Sequence, residues 1–156
     1  MAAQYPLPSD CDAKLVALLA YWRSITPADA CLPGRQHFDP AKIPQLLSAL
    51  WLLDVFHAPL RLRYRLISAA HVEVTGTDRT GMWYDEAHPA WQSSPLYAGL
   101  VEAAEGRPAF HRGTPTIHVD KDFLLLETLL LPMARDGRTV DIILGGTVYL
   151  RPPAAS

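Results

Sequence analysis

The sequence predicts an α+β domain in which a five-stranded antiparallel sheet carries helices on one face. Three observations lead to this fold class. A helical pattern of apolar residues opens the chain, and two strand patterns joined by a short turn follow it. The last third then holds three more strand patterns, whose connections are too short for parallel crossovers, so neighbouring strands must run antiparallel.

The first predicted element is an amphipathic helix over about residues 11–24. Ser9, followed by Asp12 three residues later, is typical of a helix start, and apolar residues then recur at helical spacing. This stripe consists of Leu15, Leu18, Leu19 and Trp22. It must be covered either by the domain's own sheet or by a second copy of the helix. We assign residues 1–26 to this helical segment.

A strand hairpin is predicted next, over residues 51–56 and 60–67 with a turn between them. In the second strand, Leu or Tyr alternates with arginine, which gives one arginine-rich face. A short helix over 69–75 should end at Gly76. A longer helix should follow Ser94 and end before Gly106, since glycine readily adopts the conformation that ends a helix.

The last third is predicted to be strands over residues 107–119, 122–133 and 139–150. A turn over 134–138 contains Asp136 and Gly137, which favour tight turns. We therefore expect one domain over residues 27–151, followed by an unstructured tail at 152–156.

Composition excludes several classes of protein. The chain has 156 residues, of which 49% are hydrophobic and 19% charged, so it is long enough and apolar enough to bury a core. Its net charge is −2 and its basic residues are scattered, which argues against a nucleic-acid or lipid-surface partner. The start lacks the pattern of a signal peptide, and no apolar run is long enough to span a membrane. We expect a cytoplasmic location.

The sequence predicts neither a metal site nor a cofactor. Cys11 and Cys31 lack the spacing of a zinc site or a disulfide framework, and the six histidines are scattered. His111 and His118 lie an odd number of residues apart, so a regular strand would point them to opposite faces. The predicted helix over 94–105 contains no histidine, and both cysteines precede the predicted sheet.

Seven short motifs, in order along the chain, carry a resemblance to a known family. They are LPGRQHFDP at 32–40, WLLDV at 51–55, YRL at 64–66, GTDRTG at 76–81, ETLLLPM at 127–133, DGRTVD at 136–141 and LGG at 144–146. The chain thereby resembles the short bacterial single-domain PAS family, formerly catalogued as a domain of unknown function. The resemblance covers about residues 21–150.

This resemblance implies a five-stranded antiparallel PAS sheet, with helices that form a cavity wall on one face. It also implies a preceding amphipathic helix of a kind that often mediates dimerisation. On that ground we expect the Leu15, Leu18, Leu19 and Trp22 stripe to hold a homodimer. We expect no effector domain in this chain, so that its output would pass through the dimer or to a separate protein.

Two groups of residues are candidates for binding a ligand. The aromatic residues Trp51, Trp83, Tyr84, Trp91 and Tyr97 could line a cavity for a small apolar or aromatic ligand, or could equally be ordinary core. Arg35, Arg65 and Glu127 are polar residues at positions that match the family. Glu127 interrupts a run of leucines, so if buried it needs a cation, and we expect Arg65 to supply it.

The function that we predict is a non-catalytic sensor or interaction domain of PAS type. One alternative is a small α+β enzyme of the ketosteroid-isomerase kind, in which a buried carboxylate such as Glu127 moves a proton. Another is a structural homodimer with a solid core. No pattern in the sequence identifies a catalytic residue, the ligand or the partner.

Overall fold

The computed structural model describes residues 7–113 and 125–150. Five strands form one sheet in the order β2-β1-β5-β4-β3, and every neighbouring pair is antiparallel. The strands are β1 (Leu50–Phe56), β2 (Arg61–Ile67), β3 (Ala109–Gly113), β4 (Leu125–Met133) and β5 (Ile142–Leu150). The predicted fold class is confirmed. The segment 114–124 of the predicted strands and the predicted tail at 152–156 lie outside the described residues.

The hairpin of β1 and β2 and the turn before β5 form as the sequence predicts. Gly137 adopts a φ of 84° in that turn, a conformation that favours glycine. The Asp136 carboxylate accepts hydrogen bonds from the backbone N–H groups of Arg138 and Thr139, at 2.9 and 2.7 Å. A short polar side chain therefore closes the connection that brings β5 back beside β4.

The first helix, α1 (Ala13–Ser24), begins one turn later than the Ser9 signal suggested. Asp12 is its N-cap, and the Asp12 carboxylate accepts a hydrogen bond of 2.8 Å from the backbone N–H of Lys14. Within the described residues, three further α-helices follow: α2 (Ala69–Thr75), α3 (Tyr84–Ala87) and α4 (Tyr97–Ala104). Gly76 and Gly106 adopt positive φ angles where α2 and α4 end, as predicted.

Helices cover both faces of the sheet. We call the face under α1 the outer face and the face under α4 the inner face. Gly145 and Gly146 are neighbours in β5, so they face opposite sides of the sheet. Leu18 of α1 packs over Gly146, whereas Leu130, paired with Gly145, packs against Gly99 of α4.

The apolar stripe of α1 packs on the outer face, which corrects the expectation that it is an uncovered dimer surface. Leu15, Leu18, Leu19 and Trp22 are at most 4% exposed within one chain. The Trp22 indole N–H also donates a hydrogen bond of 2.9 Å to the Pro132 carbonyl of β4. The domain's own sheet therefore covers this stripe, which was the other of the two possibilities that the periodicity left open.

Among the described residues, the hydrophobic core is continuous through both layers. It joins the α1 stripe to the leucines of β1 and β4 and to Leu100 of α4. No helix in residues 7–113 or 125–150 has the length and hydropathy that a bilayer crossing requires.

Candidate functional site: a polar cavity on the inner face

A cavity of about 40 Å³ lies on the inner face of the sheet. This volume is room for about three water molecules, whereas sites for drug-sized ligands usually measure about 300–1,000 Å³. Strands β1 to β5 and helix α2 all contribute to its wall. The lining residues are Trp51, Tyr64, His71, Tyr84, Leu96, His111, Leu126, Thr128, Thr147 and Tyr149.

Part of this wall is a band of polar side chains that crosses four strands. The Trp51 indole N–H of β1 donates a hydrogen bond of 2.9 Å to Thr147 Oγ1 of β5. Thr147 Oγ1 lies 3.0 Å from Thr128 Oγ1 of β4, directly opposite in the ladder. His111 of β3 is in turn the ladder partner of Thr128. We call Trp51, Thr147, Thr128 and His111 the polar band.

The double glycine of β5 makes room for the first member of the polar band. A methyl group on Gly145 would overlap the Trp51 indole, so only glycine lets this ring lie against β5 and reach Thr147. Gly145 and Gly146 both mark positions of close packing. Each serves a different face, since Gly146 leaves space for Leu18 of α1.

A tyrosine–histidine pair joins α2 to the sheet at the cavity. The Tyr149 hydroxyl lies 2.8 Å from His71 Nδ1. Burial, with a smaller contribution from the positive charge of Arg79, lowers the pKa of His71 to about 4. Burial also raises the pKa of Tyr149. Both side chains are therefore neutral at pH 7, and their hydrogen bond is one between uncharged groups.

A second pair lies on the α3 side. The Tyr64 hydroxyl of β2 is 2.7 Å from His88 Nε2. The Tyr84 ring packs edge-on against the His88 ring, with ring centroids 4.6 Å apart. Burial is the main cause that lowers the pKa of His88 to about 4 and raises the pKa of Tyr64. The described part of the cavity wall thus combines polar groups that carry no charge at pH 7.

His111 differs from these two histidines at its Nε2 atom. Among the residues that the structure describes, its buried Nε2 atom has no hydrogen-bond partner. The ring lies over Gly113, two residues along β3, where a larger residue would crowd Nε2. Burial lowers the pKa of His111, so this ring too favours the neutral form.

Of the eight residues that the sequence offered as ligand-binding candidates, the structure places two, Trp51 and Tyr84, in the cavity wall. Trp83 instead lies beside β2, where the Arg61 guanidinium sits 3.9 Å from its ring centroid. Tyr97 packs on Trp91, with ring centroids 5.1 Å apart, outside the lining. Arg35 donates a hydrogen bond of 3.2 Å to the Phe38 carbonyl, in the segment after α1.

The predicted pairing of Glu127 with Arg65 is wrong. Glu127 lies on β4 and Arg65 on β2, with β1 and β5 between them, so three strand spacings of about 4.8 Å separate the two. Arg65 pairs instead with Asp54, at 3.2 Å. Glu127, only 1% exposed, is bound by Arg112 of β3, its ladder partner on the outer face. It therefore lies on the opposite side of the sheet from the cavity.

Most residues of the cavity wall were not predicted from the sequence, although one pattern in β5 pointed towards them. Gly145, Thr147 and Tyr149 alternate along β5, and this period of two marks one face of a strand. Thr128 would have followed as the opposite residue once the register of β4 and β5 was known. His71 has no such signal, since its contact with Tyr149 joins residues far apart in the chain.

The cavity residues do not fit haem or an attached flavin. At about 40 Å³ the space is far smaller than either ring system requires, and Cys11 and Cys31 do not belong to its lining. In the two described stretches, no cluster of three or more histidine, cysteine or acidic side chains is arranged to hold a metal ion.

Comparison with known proteins agrees with the fold. A PAS domain family matches residues 12–148 of the chain. No curated protein matches it. Among solved structures, the chain is similar to the Rhodobacter sphaeroides LOV protein, with a TM-score of 0.50 and 16% identity over 75% of this chain and 71% of that one.

Two further similar structures are a PAS domain and a LOV domain. The PAS domain of Bordetella pertussis BvgS has a TM-score of 0.42 and 16% identity, with 88% of each chain covered. A fungal LOV domain photoreceptor has a TM-score of 0.49 and 14% identity, with 89% of this chain and 95% of that one covered. Since the family match spans most of the sequence and the strand order and helices form the expected fold, this chain belongs to the PAS domain family.

Proposed function

We propose that this chain is a non-catalytic sensor domain that binds a small molecule in the inner-face cavity. PAS domains are generally sensory rather than catalytic. The observation that carries the proposal is the convergence of polar side chains from β1, β3, β4, β5 and α2 on one cavity. Burying polar groups has a free-energy cost, so a core that served stability alone would be expected to use apolar residues there.

The same cavity weakens the enzymatic alternative. A ketosteroid-isomerase mechanism needs a carboxylate in an apolar pocket, and the candidate base was Glu127. Glu127 lies on the outer face, bound by Arg112, and the part of the lining that the structure describes contains neither Asp nor Glu. His71 is held by Tyr149 in a neutral hydrogen bond, which supports a binding role for that pair.

The small volume of the cavity indicates how binding could be coupled to a signal. A ligand larger than a few heavy atoms has to displace part of the lining. His71 belongs to α2 and is joined to β5 through Tyr149, so displacing that hydrogen bond would move a helix relative to the sheet. A sensor needs such a difference between its empty and bound states.

Native mass spectrometry of the gently purified protein tests the proposal, because it reports bound small molecules and subunit count together. We expect an adduct that disappears on denaturation. Leu126→Phe, which adds volume to the cavity wall, should remove it. Leu125→Phe is the matched control, since Leu125 immediately precedes Leu126 in β4, does not line the cavity and is 37% exposed.

An adduct that survives Leu126→Phe in a folded protein would show that the ligand binds elsewhere. Equal loss of the adduct in both variants would point to a general effect on folding. If no compound binds the wild-type cavity at all, and the domain still forms homodimers, the structural-homodimer alternative replaces the proposal.

How ligand binding is passed on as a signal is also a proposal. We propose that a dimer contact or a separate effector protein reads the bound state. The α1 stripe is buried in its own domain, so this contact must use another surface. The cytoplasmic location stays a prediction from the sequence.

A further inference from the structure

Three members of the polar band, Trp51, Thr147 and Thr128, carry one more hydrogen-bond donor than they use among themselves. Trp51 donates through its indole N–H to Thr147, and the two threonine hydroxyls share one hydrogen bond. The three side chains carry three donor hydrogens, and two are used in these bonds. Whichever threonine donates to the other, one hydroxyl hydrogen has no acceptor among the described residues.

That hydrogen lies in a buried part of the molecule. Thr128 is 3% and Thr147 7% exposed, and both line the cavity. A buried hydroxyl gains most from an acceptor when water is excluded. The cavity therefore presents a hydrogen-bond donor to whatever occupies it.

The charges around the cavity restrict the occupant further. Among the described residues, the lining contains no Asp, Glu, Lys or Arg, and the tyrosine–histidine pairs are neutral. An anion would lack a cation in the lining, and a cation would lack a carboxylate, so either would be desolvated without compensation. Apolar carbon from Leu96 and Leu126 and four aromatic rings complete the wall.

From this geometry we infer that the cavity is selective for small neutral molecules with a carbonyl oxygen on an apolar body, the oxygen accepting from the threonine pair. This inference rests on the proposed function, because it names the ligand class of the same cavity. The interaction is a hydrogen bond, with no covalent step.

Three probes of the same planar shape test it: acetone, acetate and isobutene. Each has four heavy atoms, and ligands of this size bind in the millimolar range at best in most sites, so NMR titration is the suitable measurement. The reporter is the indole N–H resonance of Trp51. We expect acetone to bind at least tenfold more tightly than either acetate or isobutene.

The matched variants are Thr128→Val with Thr147→Val, which removes both hydroxyls, and Thr128→Ser with Thr147→Ser, which keeps them. The valine pair should lose at least tenfold in acetone affinity and keep isobutene binding. The serine pair should retain the preference for acetone. Because the valine pair leaves the Trp51 N–H without its acceptor, circular dichroism must first show that the variant folds.

A second measurement does not depend on that variant. The carbonyl carbon of ¹³C-labelled acetone shifts upfield when the molecule leaves water for a site without a donor. When acetone binds the wild-type protein, we expect this carbonyl carbon resonance to keep nearly the chemical shift that it has in water. An upfield shift on binding would overturn the inference even if the valine pair did not fold.

Other outcomes also overturn the inference. If isobutene binds as tightly as acetone, the polar band adds nothing to the affinity. If acetate binds more tightly than acetone and its affinity falls in Arg79→Gln, the site prefers anions. No binding by any probe would mean that ordered water satisfies the hydroxyl. In each of these cases the proposed function is retained if native mass spectrometry still finds an adduct that Leu126→Phe removes.

Discussion

Arg112 and Glu127 face each other across β3 and β4, and the Arg112 Nε donates a hydrogen bond of 2.8 Å to Glu127 Oε2. The other carboxylate oxygen of Glu127 accepts a hydrogen bond of 2.9 Å from the backbone N–H of Asp12. The Arg112 Nη2 atom also donates a hydrogen bond of 2.9 Å to Asp10 Oδ1. One buried carboxylate therefore joins the start of α1 to the outer face of the sheet.

Glu127→Gln should destabilise the domain by about 3 kcal/mol, since it removes the charge of a buried carboxylate that is hydrogen-bonded to Arg112. Arg112→Met should also destabilise, because it leaves the Glu127 carboxylate buried without its cation. The double variant should lose less than the sum of the two changes. Urea denaturation at pH 7 measures all three.

Arg65→Met is the control for this pair, because Arg65 binds Asp54 at the exposed β2 edge. We expect a change of at most about 1 kcal/mol. If Arg65→Met instead destabilised as much as Glu127→Gln, with coupling between the two, the original pairing of Glu127 with Arg65 would have to be reconsidered.

Leu15→Ala and Leu18→Ala should each destabilise the domain by about 2–5 kcal/mol, since both side chains are buried against the sheet. Val16→Ala is the control, because Val16 is 48% exposed on the same helix and should change stability by less than about 0.5 kcal/mol. Thermal melts give the stabilities, and light scattering gives the subunit count. Loss of a dimer with unchanged stability would show that the stripe is an interface after all.

Gly145→Ala should destabilise the domain by about 1–3 kcal/mol, because the added methyl group must displace the Trp51 indole from β5. The Trp51 N–H resonance should shift as its bond to Thr147 lengthens. Combining Gly145→Ala with Trp51→Leu should cost less than the two changes added together, since the smaller side chain leaves room for the methyl group. Additive effects would mean that the glycine matters for another reason.

Stability should fall as the pH is lowered from about 6.5 to about 4. His71 and His88 have a pKa of about 4 in the folded protein, against 6.5 when exposed to water. Between these values the unfolded chain binds protons that the folded chain does not, so acid favours unfolding. Below about pH 4 both states are protonated at these sites and their contribution levels off.

The measurement is the urea midpoint at several pH values, compared with that of His71→Asn. The variant should show a shallower decline, because one of the two titrating groups is gone. His57→Asn is a suitable control, since His57 contacts the Val140 carbonyl at the β1–β2 turn rather than the cavity. Identical pH profiles for wild type and His71→Asn would exclude His71 as a contributor.

Local chemistry was sufficient to predict the elements of this fold. The alternation in β2, the glycines after α2 and α4 and the Asp136 turn depend on neighbouring residues, and each forms close to its predicted place. The helical period of the α1 stripe correctly marked the residues that are buried. Periodicity states that a face is covered, however, and does not state what covers it.

The sequence by itself determined an α+β domain with an antiparallel sheet, because backbone preferences and hydrophobic periods act over a few residues. Only the tertiary structure decided which groups meet. Strand order separates Glu127 from Arg65 and puts Arg112 beside it, and the register of β4 and β5 brings Thr128 to Thr147. Hydrogen bonds and ion pairs act over about 3–4 Å, so the cavity and its chemistry depend on contacts between residues that are distant in the chain.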